Sequence, residues 1–167
     1  MKILVFSDSH GALRCMRRYI EAVKPDHVIH LGDHFDDGSA MAETYPWIRF
    51  HLVPGNCDRY RCESWQPEVL CYAVGGVMLF MTHGHKHFVK SDLSRLIADG
   101  QLHGADAVLF GHTHQAYCSC ETDGMWVLNP GSCGGDGGSA ALIEIAEEKI
   151  SACSILKQAD LERLESV

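Results

Sequence analysis

The chain has 167 residues, 46% of them hydrophobic, with 16 glycines and a formal net charge of −8. A chain of this length is expected to fold as one domain, 1–167, around its own apolar core. The acidic balance argues against a general nucleic-acid binder, and no apolar run approaches the roughly 20 residues of a membrane span.

The opening run Lys2 to Phe6 reads as a strand rather than an export signal, because Asp8 and His10 follow it at once. A cytoplasmic protein is therefore expected, and its eight cysteines are expected to be free thiols. Their spacing contains no C-x-x-C pair, so a structural zinc site is not indicated.

After Ser7-Asp8-Ser9-His10-Gly11, apolar Leu13, Met16, Ile20 and Val23 recur at helical spacing and predict a helix over 12–23. His27 to Leu31 is the second strand, ended by Gly32-Asp33. A polar, irregular stretch from His34 to Gly38 leads to a short helix over 39–44. The third strand is 48–53, followed by Pro54-Gly55-Asn56-Cys57-Asp58 and a loop to Pro67. The pattern then changes to a hairpin, 68–74 with 77–82, turning at Gly75-Gly76. His83-Gly84-His85 follows it, then a helix over 91–99 and a strand over 106–110 that ends at Gly111-His112-Thr113-His114. A hairpin over 116–121 and 125–128, the tight loop Asn129-Pro130-Gly131-Ser132, and a hairpin over 140–146 and 149–156 complete the body. A glycine-rich loop spans 134–138, and 158–167 is a polar tail, helical or frayed. Alternating strands and helices followed by hairpins predict an α/β fold of two packed sheets with helices outside.

The strand ends carry the chemistry. Asp8, His10, Asp33, Asn56, His83, His112 and His114 all stand just beyond predicted strands, where open α/β sheets gather ligands. Two histidines in one loop are ordinary surface residues when taken alone. Here they join further oxygen and nitrogen donors and no thiolate, a set that suits Mn²⁺, Fe²⁺, Ni²⁺ or Zn²⁺ better than Mg²⁺. Alternate side chains of an extended loop point opposite ways, so His112 and His114 are expected to reach two neighbouring ions.

Asp8-Ser9-His10-Gly11, Gly32-Asp33, Gly55-Asn56-Cys57-Asp58, His83-Gly84-His85 and Gly111-His112-Thr113-His114, in this order and spacing, resemble the calcineurin-like metallophosphoesterases. With Asn129-Pro130-Gly131-Ser132 added, the chain is similar to the small YfcE-type phosphodiesterases over nearly its whole length. The resemblance implies a four-layer α-β-β-α sandwich of two mixed sheets. It implies two metal sites, one of Asp8, His10 and His114 and the other of Asn56, His83 and His112, with Asp33 bridging. Two divalent cations, manganese first, would generate the hydroxide that attacks a small phosphate ester. Many members carry a histidine after the asparagine to protonate the leaving group. Cys57 stands there in this chain, a poor general acid, so slow hydrolysis of esters with good leaving groups is expected. His85 is the nearest histidine that can act as acid or substrate contact, and Asp58 can orient a ligand histidine. Substrate selectivity is expected from loops 34–39, 59–67 and 85–90.

Two alternatives follow from the same resemblance. The retromer subunit of this fold is a scaffold that has lost part of its site, whereas no ligand position is missing here. Larger relatives cut DNA, which the acidic balance and the lack of a basic patch disfavour. Neither a membrane nor a stable nucleic-acid partner is expected, and the sequence leaves the oligomeric state open.

Overall fold

The computed structural model describes residues 1–58, 66–134 and 137–164. Most of the predicted 59–67 selectivity loop, part of the 134–138 loop and the last residues of the tail lie outside them.

Three parallel strands, β1 (Lys2–Phe6), β2 (His27–His30) and β3 (Arg49–Leu52), are joined through helices α1 (Leu13–Val23) and α2 (Phe35–Thr44). Strands β9 (Ser139–Ala146) and β10 (Lys149–Lys157) extend this sheet antiparallel, in the order β10-β9-β1-β2-β3. The second sheet, β4-β5-β6-β8-β7, comprises β4 (Val69–Val74), β5 (Val77–Thr82), β6 (Ala107–Leu109), β7 (Ala116–Cys120) and β8 (Trp126–Pro130). Its central β5, β6 and β8 are parallel and its edge strands antiparallel. Helix α3 (Ser94–Leu102) covers this sheet, and α4 (Gln158–Leu164) packs beside α1.

The layering follows from the period-2 alternation of strand side chains. Ile3 and Val5 of β1, Ile29 of β2, Leu79 and Met81 of β5 and Leu109 of β6 meet in one core between the sheets. The alternate residues face outward: Leu4, Phe6 and Val28 pack on Met16, Tyr19 and Ile20 of α1, while Phe80 and Val108 pack on Leu96 of α3. Two five-stranded mixed sheets with helices on both outer faces are the expected four-layer sandwich.

The open flanks of the sandwich are closed differently. On one, His27 Nδ1 lies 2.8 Å from His51 Nε2, and His51 Nδ1 is hydrogen-bonded to the Tyr72 hydroxyl, tying β2 and β3 to β4. On the other, the Cys118 thiol of β7 reaches the Cys153 carbonyl of β10 at 3.6 Å.

Several boundaries differ from the sequence reading. Helix α2 starts at Phe35 rather than near 39, because a carboxylate from another loop, Asp58, accepts from the amides of His34 and Phe35. Helix α3 spans Ser94–Leu102 rather than 91–99. The Asp92 carboxylate accepts from the Ser94 amide at 2.8 Å and delays its start. Gly100 does not end it; a Cβ there would stand 2.2 Å from Val108 Cγ2, so the glycine is where helix and sheet touch. Strand β8 runs on to Pro130 instead of stopping at 128.

Candidate metal centre

All the predicted donors lie in loops that leave the carboxyl ends of parallel strands, and the two sheets are stitched together there. The Cys133 amide donates to the Ser7 carbonyl at 3.1 Å, the His112 amide to Asp8 Oδ2 at 3.1 Å, and His83 Nδ1 pairs with the Leu31 carbonyl at 2.7 Å.

The donors fall into two groups. The ligand atoms of Asp8, His10, Asp33 and His114 lie within 4.8 Å of one another, and so do those of Asp33, His83 and His112. Asp33 belongs to both. His112 and His114 therefore fall in neighbouring groups, and the backbone of neither is extended.

Asp8 (φ 52°), His10 (46°), Asp33 (53°), His112 (66°) and His114 (60°) all sit in the left-handed region. Asp and His tolerate that conformation better than most residues, yet it remains costly for any side chain with a Cβ. Such a concentration of strain in ligand-type residues is characteristic of sites that position chemistry.

Among the described residues, the polar atoms converge without matching donors. Asp8 is fully buried; its Oδ2 accepts from Ser7 Oγ at 2.6 Å, whereas its Oδ1 accepts no hydrogen bond among the described residues and lies 3.1 Å from His114 Nε2. His83 is fully buried too. Its Nδ1 can only donate to the Leu31 carbonyl, so in the neutral ring Nε2 is a bare lone pair. That lone pair faces Asn56 Oδ1 at 3.2 Å and Asp33 Oδ1 at 3.4 Å. Three acceptors turned on one point are an arrangement that a cation satisfies, so the residues present fit a metal.

Electrostatics point the same way. His112 is pushed down to about 4, first by burial and then by His83 and Lys90, so its ring is neutral and able to ligate at pH 7. Burial alone would raise the Asp33 carboxyl, but His83 beside it and the Cys57 amide, donating at 2.9 Å, outweigh this and hold it below its usual range.

The other predicted residues are close by. Cys57 is exposed; its thiol is pushed up, first by its hydrogen bond with Asp33 and then by burial. His85 opens a short 3₁₀ turn, His85–His87, with its ring centroid 5.5 Å from that of His83 and 6.1 Å from that of His112. Asp58 is 1% exposed, and among the described residues its carboxylate accepts from backbone amides, those of His34 at 2.9 Å, Phe35 at 3.0 Å and Gly55 at 2.8 Å, and from no ligand imidazole. It clamps the loop bearing Asp33 to the loop bearing Asn56.

Sequence reasoning missed a supporting layer. Asp37 Oδ2 accepts from Ser9 Oγ and from the Gly11 amide, both at 2.7 Å, and fixes the loop that carries Asp8 and His10. Fully buried His30 sits 3.0 Å from Ser9 Oγ and is held at about 4, chiefly by burial. Asn129 Nδ2 donates to the Gly111 carbonyl at 2.9 Å and to Thr113 Oγ1 at 3.0 Å, and Ser132 Oγ donates to the Asp8 carbonyl at 2.7 Å. The tight loop 129–132 was visible in the sequence; its grip on two ligand loops was not.

A two-sheet sandwich with paired donor groups at one end of the strands defines a metallophosphoesterase-type fold. Its structural neighbours include a conserved, uncharacterized protein from Streptococcus pneumoniae, predicted to be a phosphoesterase (TM-score 0.68, 25% identity, 94% of this chain and 97% of that one). Another is the Vps29 of Entamoeba histolytica solved in complex with Zn²⁺ (TM-score 0.69, 20% identity, 94% and 99%), a likeness of fold.

Residues 1–148 match the calcineurin-like phosphoesterase superfamily domain, and the chain belongs to that superfamily. It is 34% identical over 136 residues to the probable metallophosphoesterase YsnB of Bacillus subtilis, covering 79% of this chain and 75% of YsnB. It is 29% identical over 151 residues to the phosphodiesterase MJ0936 of Methanocaldococcus jannaschii, covering 81% of this chain and 86% of the relative.

Proposed function

We propose that this protein hydrolyses small phosphate diesters at a pair of divalent cations, with manganese as the first candidate metal. Asp8, His10 and His114 hold one cation, Asn56, His83 and His112 hold the other, and Asp33 serves both. The observation that carries this reading is the membership of Asp33 in both donor groups. When bound, two such cations lower the pKa of water toward neutrality and neutralise charge on phosphoryl oxygens.

The chain's own residues do the rest. Leu31 and the Asn129 loop fix the directions of His83 and of the loop carrying His112 and His114, so donors are aimed before any ligand arrives. Asp58 acts through position, by holding two ligand loops together. The proton for the leaving oxygen has two candidate sources, the Cys57 thiol and the His85 imidazole. With its pKa raised, the thiol is a reluctant acid, so esters with good leaving groups are the better substrates.

The assay uses purified protein supplemented with Mn²⁺ and bis(p-nitrophenyl) phosphate, with metal content by elemental analysis. Wild type is expected to turn over the diester and to hold about two ions per chain. Asn56→Ala and His83→Ala are each expected to lose about 100-fold or more in rate together with bound metal. Protein that binds no ion, or that binds ions yet cleaves neither diesters nor monoesters, overturns this reading in favour of the scaffold alternative.

A further inference from the structure

A cavity of about 400 Å³ lies against the candidate centre, lined among others by Val89, Lys90, Phe110, Thr113, Gln115 and Tyr117. Its volume is in the range of small-molecule sites. Two of its walls are continuous with ligand loops. The Val89 methyls stand 3.0 and 3.1 Å from where a Cβ on Gly84 would be, so this side chain packs on the His83-Gly84-His85 backbone. Thr113 sits between His112 and His114, its Oγ1 held by Asn129 Nδ2 at 3.0 Å and by the Gln115 amide at 3.3 Å.

The lining has a definite chemistry. Val89, Leu93 and Phe110 are apolar, Tyr117 leaves 40% of its surface open, and among the described residues no acidic side chain contributes, although the chain as a whole carries −8. Lys90 supplies the cation of the lining and is near enough to His112 to bear on it electrostatically. An exposed phenol ring over apolar walls receives a flat π-system, and an ammonium beside it receives an anionic oxygen.

Resting on the phosphoesterase reading, we infer that this cavity is a subsite for the organic group of the ester and selects a flat aromatic ring, aryl or nucleobase. The ring stacks on Tyr117, and Lys90 pairs with an anionic ester oxygen. Tyr117 and Lys90 are thus specificity residues rather than participants in bond breaking.

The test compares two diesters with the same leaving group, thymidine 5′-(p-nitrophenyl) phosphate and methyl p-nitrophenyl phosphate. Wild type is expected to favour the thymidine ester in kcat/KM by about 10-fold, the order of one base–aromatic stack. Tyr117→Ala is expected to bring that ratio within about twofold of one, and Tyr117→Phe to restore it. A second readout needs no turnover: calorimetric binding of thymidine 5′-monophosphate against ribose 5-phosphate, expected to differ about 10-fold in wild type and not in Tyr117→Ala. If both diesters are cleaved equally and Tyr117→Ala changes neither ratio, the subsite is overturned while the phosphoesterase reading stands. If neither diester is cleaved, the reading itself fails, and the binding contrast alone supports or overturns the cavity assignment.

Discussion

Gly55 shows how closely the backbone approaches the shared carboxylate. A Cβ at this position would stand 2.2 Å from Asp33 Oδ1 and 2.4 Å from the Asp33 amide nitrogen. A methyl group therefore cannot fit without moving backbone and carboxylate together. Gly55→Ala is expected to cost about 1–3 kcal/mol of stability and to weaken metal binding about 10- to 100-fold, measured by denaturant titration and by competition with a chelating dye. Unchanged metal affinity in a folded variant would show that the Asp33 position tolerates displacement. The ligand candidates were legible at this scale because a charged or imidazole residue directly after an apolar strand is conspicuous. The hand of the backbone was not. His112 and His114 were expected to diverge by alternation in an extended loop, whereas both are left-handed, and a one-letter code does not display φ. Asp37, Ser132 and Asn129 were overlooked as supports for a related reason: their partners lie far along the chain.

Among the elements, strands were easier to read than helix ends. Alternation of Ile3, Leu4, Val5 and Phe6 between two cores is a local pattern written in consecutive letters. The first turn of α2 depends on Asp58, a residue 23 positions past Phe35, and the last turn of α3 depends on Gly100 meeting Val108. Such long-range caps and contacts override local propensity. Strands β2, β3 and β4 hold a different long-range device, the His27–His51–Tyr72 chain. His51 is held at about 4, first by burial, then by His27 and Arg49. An unfolded histidine titrates near 6.5, so between pH 6.5 and about 4 the unfolded chain binds the extra proton and folding is weakened as pH falls. The stabilisation is complete above that window. Urea midpoints measured from pH 7.5 to 4.5 are expected to fall by the equivalent of about 1–2 kcal/mol through this group, with a shallower decline in His51→Gln. Identical slopes for the two proteins would remove His51 from the explanation.

The molecule as a whole is two sheets held face to face by an apolar layer and joined at one end by polar loops. These two means of cohesion are separable. Ile143 is fully buried in the shared core and pairs with Ile3 near the start of β1, away from the ligand loops. Ile143→Ala is expected to lose about 2–5 kcal/mol of stability while metal affinity and kcat stay within about twofold. Thermal unfolding and an Mn²⁺ titration on the same sample provide the check, and a parallel loss of metal affinity would mean that core and centre are coupled. Two packed sheets with helices outside were legible because strand–helix alternation followed by hairpins admits few arrangements, and the four-layer sandwich was implied by the family resemblance. The cavity beside Lys90 was not, since its walls are assembled from segments separated in sequence.

Each donor group draws on both sheets: Asp8, His10 and Asp33 come from one, and His83, His112 and His114 from the other. An ion seated there would act as a rivet between the two halves of the body and would bind the folded chain in preference to the unfolded one. Metal supply would then set how long each molecule survives as well as how fast it works. In a cell short of the ion, a larger unfolded fraction would then be open to proteolysis.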